Sequence, residues 1–459
     1  MKNQRRTREK DPEFYPKLLA LLVPMVIQNV MNALVSASDA LMVGTLDQSS
    51  LSAVSLATQI TFVLSLFYAA ITIGTTVMAA QYWGKGDKTA VEKIMALAFR
   101  LAAVISVIFF LACFFAPQLL MRIFTSEEDL IRLGSSYLKI AGWSYLLSGI
   151  SQVYLCIMKN TGRTTRSTIY GTSATVLNLI LNAIFIYGLF GVPKMAVAGA
   201  AVATLLARIV EFGLCFIENM RTDTVKVRVE YLLKNSGLLG KDFARYTTPI
   251  LANELAWGCG FTMFSVILGH MGSDAVAANS IANITKNILL CVAFGISGGS
   301  GILVGNELGD GNLEKAREYG DRLCHLALAT GIISGLILLA VSPLIVRACT
   351  TMSPTAKGYL QGMLLICAYY LIGKTMNATV VGGIFCSGGD TRFGMICDTI
   401  TLWVMVVPIG SLAAFAFKAP VMVVYFLLNL DEMIKLLAVY KHYKKYQWVN
   451  NITREDMES

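Results

Sequence analysis

The chain has 459 residues, of which 55% are hydrophobic and only 15% charged, with a formal net charge of +9. A soluble globular domain carries about 25% charged residues, so the composition excludes a water-soluble enzyme and points to an all-α polytopic membrane protein. The ten Cys stand singly and the three His lie far apart, which argues against a disulfide framework, a metal site or a catalytic triad. No cofactor is expected.

A bilayer-crossing helix needs about 20 mostly apolar residues. Runs of that length recur about twelve times, near 16–44, 51–82, 91–122, 131–158, 167–190, 195–218, 241–270, 275–306, 313–347, 355–385, 392–415 and 419–441. The first carries the stretch MNALVSASDALMVG (31–44), with a carboxylate in its middle and no Lys or Arg nearby. Positions i, i+4, i+7 and i+11 share a helix face, so Gln28, Asn32, Val35 and Asp39 form one stripe. Unpaired polar groups in hydrocarbon cost several kcal/mol, so this stripe faces the bundle interior or a wet cavity. Pro24, a turn before it, removes a helix hydrogen bond and permits a kink.

The second span adds a seam of Thr58, Thr61, Ser65, Tyr68, Thr72 and Thr75, and the fifth offers Thr175, Asn178 and Asn182. Together these are read as lining one polar pocket in the N-terminal half. Arg208 and Glu211, three apart on the sixth span, are expected to pair with each other. In the C-terminal half the seventh span carries Asn253 and Glu254, with Gly258 a turn on. The eighth aligns Asn279, Asn283, Lys286 and Asn287, and the tenth aligns Tyr370, Lys374 and Asn377. One acid beside two lysines suggests a buried ion pair with a surplus positive charge. Asp398, Asp431 and Glu432 fall near span ends, where water is close. The glycines of GISGGSGILVG (295–305) read as close helix packing. Intramembrane ionisable residues mark ion or substrate pathways, and Asp39 is the leading candidate.

Slid against itself by 225 residues, the sequence matches MVGTLDQSSLSAVSLA (42–57) to ILGHMGSDAVAANSIA (267–282). Pro24 falls on Pro249, and Gly84 and Gly86 fall on Gly309 and Gly311. With one more residue of offset, TGRTTR (161–166) meets SGGDTR (387–392). The chain is therefore two homologous halves of six spans, a parallel repeat. The lobes are 1–218 and 241–459, and 219–240 is a basic connector. Lys and Arg concentrate in the breaks on the side of the N-terminus, and only Arg122, Arg132, Lys194, Arg347, Lys357 and Lys418 lie in the opposite breaks. Positive loops stay in the cytoplasm, so both termini are expected there, and the basicity records topology rather than a nucleic-acid partner. Two six-helix bundles around a central cleft are a transporter's architecture, with access alternating as one half rocks against the other.

The segments SDALMVGTL, LSAVSLA, AAQYWGKGD, IMKNTGRTTR, LNLILNAIFIYGLFGVPKMAVAGAAVAT and GIFCSGGDTRF, in this order and with the repeat, resemble the multidrug and toxic compound extrusion (MATE) family over nearly the full chain. The prokaryotic DinF-like branch is the nearest likeness. The resemblance implies export of bulky, often cationic organic compounds in exchange for H⁺ or Na⁺. It implies a cation-coupling site at Asp39 with Asn178, Asn182 and Thr204, Asn182 standing where some relatives carry a second Asp. Pro24 corresponds to the kinkable point of the family's first helix. Lys374 and Asn377 fit the branch's tenth-helix pattern, and Glu254 corresponds to a seventh-helix acid used elsewhere in the family.

The reading is thus a secondary-active multidrug efflux antiporter, not an enzyme, in a prokaryotic cytoplasmic membrane. Gln28, Asn32, Asn178, Asn182 and Thr204 surround Asp39, and Pro24 is the hinge. Asn253, Glu254, Asn283, Lys286, Tyr370, Lys374 and Asn377 form a substrate site or second polar site. Partners are organic small molecules and the lipid bilayer, and a monomer is expected. The rival reading is a flippase for lipid-linked oligosaccharide or cell-wall precursor, for which the cavity offers two lysines rather than an arginine cluster. A passive channel lacks a selectivity-filter run.

Overall fold

The computed structural model describes residues 12–44, 48–221, 224–233, 237–350 and 352–454. These residues are helical with no strand among them. The opening basic run (1–10) and parts of the connector lie outside the described residues. Eleven described helices are long and apolar enough to cross a membrane.

The first half contains α1 (Phe14–Gly44), α2 (Gln48–Gly84), α3 (Lys88–Phe115), α4 (Pro117–Arg122), α5 (Glu128–Asn160), α6 (Thr164–Tyr187) and α7 (Ala196–Asn219). The third span ends at Phe115 rather than near 122, because Pro117 has no N–H to continue the helix and instead starts the short α4. The connector holds α8 (Val229–Leu233). The second half contains α9 (Gly237–Gly269), α10 (Ser273–Gly309), α11 (Leu313–Ala348) and α12 (Pro354–Asn377), which π turns extend over Ala378–Phe385. The eleventh span runs from α13 (Thr391–Thr399) through π turns into α14 (Val407–Ser411). The twelfth is broken at Asn429 and Leu430 into α15 (Val421–Leu428) and α16 (Asp431–Tyr443).

The helix bounds reproduce the repeat. Helices α2 and α10 start at 48 and 273 and end at 84 and 309, both 225 apart. Each lobe has its own apolar core. In the first, Ile94, Met95, Leu138 and Tyr154 are buried together; in the second, Leu338, Leu360, Leu364 and Tyr425 are.

The first helix of each lobe does not stay at home. Phe14, Leu18 and Leu21 of α1 are buried with Ile302, Tyr319, Phe385 and Trp448 of the second half. Their repeat counterparts on α9, Leu239 and Phe243, belong to the core of the first half. Beyond the prolines, Val43 of α1 and Ile267 of α9 return to their own lobes. Both helices thus cross from one lobe to the other at the level of Pro24 and Pro249, so a division at 218 and 241 follows the chain but not the packing.

The face on which the described residues begin and end is closed by α2 and α10. A Cβ on Gly84 would collide with the Asn306 carbonyl, and one on Gly309 with the Gln81 carbonyl. Gln81 and Asn306 are themselves 225 apart, so the pseudo-two-fold axis passes through this crossing. Other close inter-lobe approaches follow along the helices, at Gly305 to Ala80, Gly74 to Thr247, Gly298 to Met25 and Gly295 to Val26, and reach Gly258 against Leu66 at the middle of α2. The glycines of 295–305 pack helices as their sequence suggests.

Candidate functional site

Asp39 is partly buried on α1. Asn182 of α6, only 2% exposed, donates from Nδ2 to Asp39 Oδ1 at 2.7 Å. The same amide lies 3.4 Å from Asn178 Oδ1, and Asn178 donates in turn to Thr204 Oγ1 of α7 at 3.3 Å. Helical spacing explains the order, since Asn178 and Asn182 are one turn apart on the same face. Three helices therefore converge on one carboxylate through a chain of amides and a hydroxyl. Asn182 Oδ1 is buried without a hydrogen-bond partner among the described residues.

The rest of the stripe divides. Asn32 accepts from Thr175 Oγ1 at 3.0 Å, while Gln28 packs over Gly171 with its Oε1 unpartnered among the described residues. Neither reaches Asp39 by a direct hydrogen bond, so the four-residue stripe is two small clusters in sequence along α1. The second-span seam points elsewhere. Thr61 meets the Tyr145 hydroxyl at 2.7 Å, and Tyr68 meets Ser106 at 2.8 Å. These two groups hold α2 against α5 and α3, whereas Thr72 of the same seam lines a cavity with Gln28. The periodicity correctly gave their shared face but could not say which neighbour that face meets.

The C-terminal half holds a cavity of about 240 Å³ lined by Asn253, Glu254, Trp257, Lys374, Asn377 and Asp398, among others. Its charges do not pair as the sequence suggested. Lys374 binds Glu432 at 3.0 Å, and Lys435 binds both Asp398 at 2.6 Å and Glu432 at 3.1 Å. Asn377 adds two hydrogen bonds to Glu432, one to its backbone carbonyl and one to Oε2. Asp431 and Glu432 are 4% and 0% exposed, so they are not in water at a span end. The break at Asn429 and Leu430 explains why: it starts a new helix inside the lobe, and both acids occupy its first turn, where the helix dipole favours negative charge.

Glu254 is left on the cavity wall without an ion pair among the described residues, and Lys286 does not approach it. The Lys286 ammonium, 8% exposed, sits 4.8 Å from the centre of the Tyr370 ring, a cation–π contact. Asn283 bonds Asn279 on its own helix at 3.1 Å. Asn253 Oδ1 is buried and has no partner among the described residues. Of the seven residues proposed for this half, Asn253, Glu254, Lys374 and Asn377 share the cavity; Asn283, Lys286 and Tyr370 do not line it. Lys435, Asp398 and Glu432 were missed as members, because a broken helix gives little periodic signal. Arg208 and Glu211 pair at 2.5 Å as expected.

A second cavity of about 290 Å³ lies between the lobes, lined by Gln28, Thr76, Gln152, Lys159, Asn160 and Ser297, among others. Its walls come from α1, α2, α5 and α10, with Gly382 from the π turns after α12.

A two-lobed repeat of membrane-spanning helices, with a polar cluster in one lobe and a charged cavity in the other, defines a membrane transporter. The MatE family model matches residues 24–184 and 249–412, one stretch in each half, and the chain belongs to this family. It is 27% identical over 427 residues to a probable multidrug resistance protein NorM of Thermotoga maritima, covering 92% of this chain and 89% of that protein. The multidrug resistance protein PmpM of Pseudomonas aeruginosa is 24% identical, with 86% and 83% covered. An outward-facing multidrug resistance MATE transporter of the MOP superfamily superposes with a TM-score of 0.85 at 19% identity, covering 94% of this chain and 96% of that one. A MOP-superfamily transporter from Pyrococcus furiosus superposes at 0.86 with 18% identity and the same coverage.

Proposed function

We propose that the protein is an efflux antiporter that exchanges organic compounds for H⁺ across a prokaryotic cytoplasmic membrane, with both chain ends in the cytoplasm. The observation that carries this is the Asp39–Asn182 hydrogen bond of 2.7 Å, which ties the first-span carboxylate to the fifth and sixth spans. Relatives named multidrug resistance proteins support the substrate class, and the placement of Lys and Arg supports the orientation.

A carboxyl group taken out of water sheds its charge by binding a proton. Once neutral, Asp39 no longer holds the Asn182 amide as firmly, because hydrogen bonds to an ionised acceptor are roughly twice as strong as neutral ones. The Asn182–Asn178–Thr204 chain then rearranges. Because α1 continues past Pro24 into the other lobe's core, a shift at Asp39 reaches the inter-lobe contacts directly. The cavity beside Glu254 offers a carboxylate for an organic cation, while its Trp257 ring faces the Lys374 ammonium at 5.5 Å. Na⁺ is the alternative coupling ion, and Asn182 Oδ1 would be an oxygen ligand for it.

Reconstituted vesicles with an imposed pH gradient and no sodium test this. The native protein should accumulate a cationic dye, and Asp39→Asn should lose at least about tenfold of that gradient-driven rate. Full gradient-driven uptake by Asp39→Asn would remove the carboxylate from coupling, and uptake driven only by sodium would reassign the ion.

A further inference from the structure

Residues 448–454 follow the last helix and cross the closed face from one lobe to the other. The segment is anchored in the second half at Trp448, which is fully buried. Its ring stacks on Tyr443 at 5.4 Å and fills the space over Gly320, while its backbone lies against Gly388. Neither glycine position has room for a Cβ. At its other end Arg454 makes a forked bond to Asp242, at 2.6 and 2.9 Å, on the opening part of α9 that packs with Leu239 and Phe243 into the first half's core.

Between these two points the segment lies on α2 of the first half. The buried Gln81 side chain donates to Asn450 O at 3.0 Å and to Ser387 O at 2.6 Å, and accepts from Ile452 N–H at 2.8 Å. Arg454 N–H donates to the Tyr82 hydroxyl at 3.2 Å, and Lys85 Nζ donates to Arg454 O at 2.6 Å. One stretch of α2 and its end therefore reads the backbone of the segment through three side chains. The same stretch carries the Gly84 crossing with α10.

We propose that residues 448–454 form an inter-lobe clasp, fixed to the C-terminal half, that locks the closed face and must release α2 before that face opens. The two sets of contacts differ in kind. Trp448 is an apolar anchor in a fitted socket and stays with its lobe. The hold on the first half is mostly polar: hydrogen bonds between the segment's backbone and Gln81, Tyr82 and Lys85 and the Arg454–Asp242 pair, with the partly buried Ile452 packed against that half's core. Water can take over the polar links once the face is wet, so they are the contacts that a reversible lock would release. The connector, at the corresponding place in the first half, does not mirror it: Lys226 N–H and Arg228 bind Glu92 of α3 in their own lobe. The lock is one-sided.

Its role in a transport cycle rests on the alternating-access reading, but the clasp is measurable without substrate. Hydrogen–deuterium exchange in lipid nanodiscs reads the backbone at 76–87 and 300–311, the two sides of the crossing. Gln81→Ala, and separately deletion of residues 451–459, should speed exchange in both segments by about fivefold or more, while 137–158 in the first lobe's core stays protected. Unchanged exchange at the crossing in both variants would overturn the proposal. General loss of protection, including 137–158, would also overturn it, by making the segment a fold element rather than a lock. Faster exchange without any gradient-driven transport by the native protein would support the clasp and count against the antiporter reading alone.

Discussion

Asp39 stands out in the sequence because nothing of opposite charge surrounds it, and the structure gives it an amide partner rather than a cation. Asn178 and Asn182 were legible because polar side chains on apolar helices have few places to go, whereas Thr204 was reached only through the family resemblance. Glu432 was not legible. It opens the stretch EMIKLLAVY (432–440), which reads as the end of an ordinary span, and only the helix break reveals it as the centre of Lys374, Lys435 and Asn377. Removing one member of a buried charge cluster costs about 3–5 kcal/mol, because the partners keep their charge. Glu432→Gln should therefore lower the thermal transition in detergent by several degrees, although the amide has nearly the same shape. Adding Lys374→Met to that variant should recover part of the loss, since an apolar group of similar volume leaves no unmatched ammonium.

At the scale of elements, the 225-residue offset was visible as matched glycines, but not that two of those glycines meet. Sequence similarity relates Gly84 to Gly309 without saying whether they are neighbours or lie at opposite ends of the molecule. The closeness of α2 and α10 supplies the answer: each glycine faces the helix backbone one turn before its twin. Gly84→Ala and Gly309→Ala should accordingly have matching effects. Each added methyl group meets a carbonyl that cannot rotate away, so the two helices must separate. Overpacking of this kind costs typically about 1–3 kcal/mol. Both variants should fold, expose residues 300–311 to faster deuterium exchange, and transport more slowly. A large effect from one and none from the other would contradict a shared axis at this crossing. The second-span seam teaches the complementary lesson, because Thr61 and Tyr68 are aligned as read yet serve to fasten α5 and α3.

For the whole molecule, the close approaches between lobes run from the Gly84–Gly309 crossing to Gly258 against Leu66, and Asp39 lies toward the far end of α1 from the Phe14 turn that packs near Trp448. The backbone approach at Gly84 and Gly309 closes the molecule on the face where residues 448–454 lie. Composition and repeat were enough to anticipate two bundles, but not the traffic between them. Phe14 and Leu18 in one core, and Leu239 and Phe243 in the other, mean that each bundle is completed by the opening turns of its sibling's leading helix. A chain severed in the connector near 230 would therefore yield two pieces that carry each other's missing parts. Produced together, they should associate and copurify as a stoichiometric pair; produced separately, each should show a bare apolar socket and aggregate on extraction from the membrane. Such mutual dependence would have tied the fates of two duplicated genes before they were ever fused into one.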